Sequence, residues 1–119
     1  MPVTPDDFRR IALSFPGTTE QSHMDHPDFR VGGKIFATLG YPDRTKGMVK
    51  LPPEYQHEFS QREPKAFIPV RGAWGRQGAT TVVLSGASKP ALREAMEIAW
   101  KARSAKPKKS VPAALKRPE

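Results

Sequence analysis

Gly32-Gly33 stands between two β-prone runs, Phe29-Arg30-Val31 and Lys34-Ile35-Phe36-Ala37-Thr38-Leu39, and this commits the middle of the chain to an antiparallel hairpin. A two-residue primed turn needs positive φ at both central positions, which glycine adopts without steric cost. Alternation then puts Ile35, Ala37 and Leu39 on one face of the second strand. Tyr41–Gly47 is rich in turn residues and leads to a third strand at Met48–Leu51, while Glu20–His23 is placed to add a strand in front. The result is a meander, not a parallel sheet.

Helical signals flank these strands. Thr4 is a capping residue, Pro5 suits the first helical position, and Asp6 and Asp7 favour the positive end of the dipole. Phe8, Ile11, Ala12 and Phe15 recur at helical spacing before Pro16-Gly17 stops the segment. Pro52-Pro53-Glu54 opens a second, short helix with Tyr55 and Phe59 four apart on one face, and Pro64 closes it. Phe67–Val70 reads as an edge strand because Pro69 cannot donate to a ladder. Arg71–Gly78 is a glycine-punctuated hairpin loop, followed by a β-branched strand at Thr80–Leu84. Ser88 caps the last helix, whose stripe is Leu92, Ala95, Met96 and Ala99, with Ile98 and Trp100 on its flanks and Arg93–Glu97 and Glu97–Lys101 as outer pairs. The order helix, strands, helix, strands, helix predicts an α+β fold: an antiparallel sheet with helices mainly on one face. Phe8, Ile11, Ile35, Phe36, Leu39, Val82, Leu84, Leu92 and Met96 are the expected core.

The chain has 119 residues, enough for one ordinary core. It has no cysteine, which excludes disulfides and thiolate metal sites and suits a reducing compartment. There is no signal-like start and no long apolar run, so the expected location is the cytoplasm. The formal charge is +8, unevenly spread. Residues 101–119 hold seven basic side chains against Glu119, whereas residues 1–100 hold thirteen against eleven acids. From about Ser104 the sequence turns to Lys, Pro, Ala and Ser. The expected organisation is one domain over residues 1–104 and a basic, disordered tail over 105–119.

Phe15-Pro16-Gly17-Thr18, then Phe29-Arg30-Val31-Gly32-Gly33-Lys34-Ile35-Phe36-Ala37, then Val49-Lys50-Leu51 before a short helix, resemble the MmcQ/YjbR family across residues 5–103. The resemblance implies a small cytoplasmic bacterial protein of frataxin-like or double-wing architecture that binds DNA. It brings no established catalytic residues. Residues 69–76 depart from the Tyr-His-Met-Asn-Lys-x-His-Trp-like stretch that many members carry.

Arg71, Trp74 and Arg76 set two guanidiniums around one large aromatic, and Arg44 and Lys46 occupy the other long loop. Arginine neutralises phosphates, and tryptophan stacks on bases. These five residues are the candidate nucleic-acid contacts. The opposing reading folds Trp74 back as a lid on the core. Gly72, Gly75 and Gly78 precede a strand, not a helix, so they match no dinucleotide fingerprint, and no Gly-Lys-Ser/Thr marks a P-loop. His23-Met24-Asp25-His26-Pro27-Asp28 holds metal-ligating groups, but its spacing matches no closed site, and along one strand His23 and His26 face opposite ways. It reads as a solvated polar loop. No nucleophile arrangement stands out, so no enzyme activity, cofactor or metal is expected. The expected function is low-specificity DNA binding through the basic loops and tail. Two alternatives stand beside it: a protein-interaction domain with an exposed sheet edge, and a ligand or enzymatic pocket near Trp74.

Overall fold

The computed structural model describes residues 3–41 and 43–104; the expected tail from residue 105 lies outside the described residues. The elements run α1 (Pro5–Leu13), β1 (Thr18–His23), β2 (His26–Val31), β3 (Lys34–Leu39), β4 (Lys46–Lys50), α2 (Pro53–Arg62), β5 (Phe67–Pro69), α3 (Ala73–Arg76), β6 (Ala79–Val83) and α4 (Lys89–Ser104). The strands form one antiparallel sheet in the order β1-β2-β3-β4-β6-β5. The fold is α+β, and Pro69 lies in an edge strand. Among the described residues, no helix is long and apolar enough to cross a membrane.

Local signals fix several boundaries. Thr4 Oγ1 accepts the Asp7 N–H and the Asp7 carboxylate accepts the Thr4 N–H, each at 3.0 Å, which closes a capping box at the start of α1. Gly32 and Gly33 have φ of 59° and 81°, the conformation a two-residue primed turn requires between β2 and β3.

Helices α1 and α4 lie on one face of the sheet. Phe8, Ile11, Leu92 and Met96 meet Phe29, Phe36, Leu39, Val49 and Val82 in a continuous apolar core. Helix α2 adds Phe59, whose ring centroid lies 5.1 Å from that of Phe67. Burying each such side chain is worth about 1.5–3 kcal/mol, so this layer supplies most of the driving force for folding. The approach of α1 is close enough that a Cβ at Gly47 would strike the Phe8 ring.

The structure corrects five readings of the sequence. Ile35 does not share a face with Ala37 and Leu39. The register steps from Phe29↔Ala37 to Arg30↔Ile35, so Phe36 is an extra residue in β3. This bulge turns Phe36 into the core and Ile35 to the opposite face. The 71–78 segment is not a simple hairpin loop, because Ala73–Arg76 coil into one helical turn. In α2 the inward partner of Phe59 is Gln56, and Tyr55 is exposed. Gln56 is held inward because its Nε2 donates to the carbonyls of Gly75 (2.9 Å) and Ala79 (3.0 Å). In α4, Glu97 pairs with Lys101 at 3.5 Å, while Arg93 lies over the Phe15 ring. Finally, His23 and His26 are cross-strand partners on either side of a tight turn, so they point to the same face. Met24 and Asp25 make that turn with φ of 49° and 66°.

Candidate functional site

On the face of the sheet turned away from α1 and the body of α4, helix residues enter among the described residues only at one margin, through Trp74 of α3 and Arg103 of α4, and the rest of its composition follows from strand alternation. In β4, Gly47 and Val49 point to the core, so Lys46, Met48 and Lys50 point outward, opposite Val83, Thr81 and Ala79 of β6. In β3 the bulge adds Ile35 to Thr38 on this face. His26, Asp28 and Arg30 of β2, and His23 of β1, complete it.

A groove of about 600 Å³ crosses this face. Its floor is Ile35, Thr38, Met48 and Ala79. His23, His26 and Tyr41 close one end, with His26 and Tyr41 edge to face at 5.4 Å. Lys50, Trp74, Gln77 and Arg103 close the other. Its volume lies in the range of small-ligand sites.

The groove carries cations and no carboxylates among its lining residues. Burial lowers the pKa of Lys50, and the nearby charge of Arg103 lowers it further. Neither residue has a carboxylate partner among the described ion pairs. Two cations held together without a counter-charge disfavour each other and favour an incoming anion. Most of the described acids lie elsewhere, with Asp6 and Asp7 in α1, Glu54 and Glu58 in α2, Glu94 and Glu97 in α4, and Glu20 bound to Arg9 of α1, while Asp25 sits in the β1–β2 turn and Asp43 in the β3–β4 loop at the His26–Tyr41 end of the groove.

Asp28 lies on the groove face of the sheet itself, and it is neutralised in place. Its side chain is fully buried, with Arg30 donating to both oxygens at 2.8 and 3.1 Å and His23 Nδ1 at 2.7 Å. The Arg30 hydrogen bonds hold its pKa below the ordinary carboxylate range, and His23 adds to this. An ionised carboxylate only accepts, so Nδ1 of His23 carries the proton. Among the described residues, no group of three or more His, Cys, Asp or Glu is placed to hold a metal ion.

The five expected contact residues do not gather in one patch. Arg44 and Lys46 lie at one end of β4, and Arg71, Trp74 and Arg76 lie beyond the other, since Lys50 pairs with Ala79. Four residues of strand separate the ends by about 13 Å. Lys46 is bound to Asp43 at 2.8 Å, which with Thr45 lowers the Asp43 pKa to about 2. Trp74 is not a core lid. It is 61% exposed and reaches the groove, whereas Arg44, Arg71 and Arg76 are exposed at the two margins.

Sequence reasoning missed Lys50, Arg103 and Tyr41, and it weighed His26 only as a metal ligand. The outward period of Lys46, Met48 and Lys50 around Val49 was a signal for the first. Arg103 falls one turn beyond the buried Ala99, where a helix end meets the sheet margin.

An α+β protein with a bare, cationic sheet face is the class these features define. The YjbR family model matches residues 13–102, and the chain belongs to that family. The crystal structure of Deinococcus radiodurans protein DR2400, a DUF419-domain protein, is similar in fold, with a TM-score of 0.67 and 24% identity over 82% of this chain and 76% of that one. No curated protein matches the chain.

Proposed function

We propose that this protein binds nucleic acid with low sequence specificity, DNA in the first instance, along the grooved face of its sheet. The observation that carries the reading is a local excess of positive charge: Lys50 and Arg103 meet in a groove whose lining residues include no carboxylate, beside an exposed indole. The two basic loops flank the groove at either end, so a strand lying in it would meet Lys50 and Arg103 at one point and Arg44, Arg71 and Arg76 at its margins. Cations here position a phosphate backbone and read no base edges, which gives low specificity. The family resemblance points the same way. A cytoplasmic setting belongs to this reading, and a cysteine-free chain suits it.

Fluorescence anisotropy of a labelled oligonucleotide over a salt series tests the proposal. Binding should weaken with a log–log slope of about −0.7 to −0.9 per neutralised phosphate. Lys50→Ala with Arg103→Ala should weaken binding and flatten the slope by about one to two phosphates' worth. Salt-independent binding, or a double variant that binds as the parent does, would remove the groove from the reading.

A further inference from the structure

We infer that the nucleic acid in the groove is single-stranded, with an unpaired base stacked on Trp74 and its phosphate on Lys50 and Arg103. The inference rests on the nucleic-acid reading above and names the form of the ligand. The chain has two tryptophans, and their settings differ. Trp100 is occupied: it stacks on Phe15 at 5.6 Å and its indole N–H donates to the Pro16 carbonyl at 3.0 Å. Trp74 has neither partner and leaves 61% of its surface to solvent. Exposing an indole on a mobile loop would carry little meaning, but α3 is pinned. Gln56 clamps the carbonyls of Gly75 and Ala79, and Gly75 packs so tightly that a Cβ there would run into the Val70 carbonyl. The indole is thus presented on a fixed turn beside the groove.

The groove itself selects the strand form. Ile35, Met48 and Ala79 offer an apolar floor, suited to bases and sugars and not to phosphates. Lys50 rises from that floor, half-buried, where an extended strand can bring a phosphate down to it. A duplex keeps its bases paired and stacked inside and offers no free base to an indole. A single strand offers one at each step, and base–aromatic stacking tolerates any sequence. Tyr41 at the far end provides a second ring, 37% exposed. The basic margins beyond both ends favour a strand over a free nucleotide, because a mononucleotide would leave Arg44, Arg71 and Arg76 unused.

Trp100→Phe makes Trp74 the sole indole reporter in the full chain. Titration with an oligothymidylate should quench its emission at concentrations well below those at which a blunt duplex of equal length binds. Thymidine monophosphate should bind far more weakly than the oligomer. In anisotropy, which needs no reporter tryptophan, Trp74→Ala should weaken the oligothymidylate about 5- to 150-fold and change duplex binding little. This second variant keeps the test open if Trp100→Phe fails to fold, since Trp74 lies outside the core. Equal or tighter duplex binding without quenching overturns the single-strand inference and leaves the nucleic-acid reading standing. Monophosphate binding as tight as the oligomer's overturns the strand in favour of a small ligand. No binding by any of the three overturns both.

Discussion

Asp28 shows at the scale of one residue how this protein manages charge. A carboxylate on the groove side of the sheet would repel a polyanion, yet Asp28 is fully buried and doubly engaged by Arg30, with His23 as a third donor. Its lowered pKa sets the sign of a pH effect. The stability it contributes is complete above the ordinary aspartate value of 3.8 and is lost as pH falls through the lowered folded value. Asp28→Asn should cost about 1–3 kcal/mol near neutrality. The gap between parent and variant should close on acidification, as urea midpoints across the acid limb would show. A constant gap would mean that shape, not charge, is what Asn fails to supply. None of this was legible in the sequence. Asp28 sat in what read as a solvated loop; Arg30 meets it because both lie on one face of β2, and His23 only because a two-residue turn folds β1 back onto β2.

At the scale of elements, what was legible was what local chemistry decides. The Thr4–Asp7 box, the Gly32-Gly33 turn and the stripe of α4 each need only neighbours in sequence, and each formed. Three features needed a distant partner and were missed. The bulge at Phe36 is defined only against β2, where the adjacent Phe29 and Arg30 pair with Ala37 and Ile35. The turn of α3 exists because Gln56, in another helix, takes its carbonyl. Arg93 turns to Phe15 and leaves its expected partner. The α4 stripe carries a direct test: Leu92 is fully buried against the sheet, so Leu92→Ala should destabilise by about 2–5 kcal/mol in denaturant titration. A loss under about 0.5 kcal/mol would place Leu92 outside the packed core.

At the scale of the molecule, the sheet separates two chemistries. One side is apolar core and helix; the other is an open groove with cationic and aromatic lining. The candidate site was only partly legible because it is assembled across the sheet. Trp74 could be singled out from its basic neighbours, whereas Lys50 and Arg103 come together only once α4 ends beside β4. Charge also continues along the sequence beyond residue 104, since residues 106–117 hold five of the twenty basic residues. Deleting residues 105–119 should therefore weaken nucleic-acid binding and flatten its salt slope, with residual binding left to the groove. Complete loss of binding on that deletion would make the tail the reader.

The bulge in β3 has a consequence for how such a chain can change over time. Side chains in a strand obey a reading frame of two, and Phe36 shifts that frame in mid-strand. Upstream of it Ile35 belongs to the groove; downstream Ala37 and Leu39 belong to the core. Losing Phe36 would restore regular alternation: Ile35, now next to Ala37, would still face the groove opposite Arg30, and the core would lose one phenyl ring. A deletion at this point would thus thin the core and leave the lining of the groove in place.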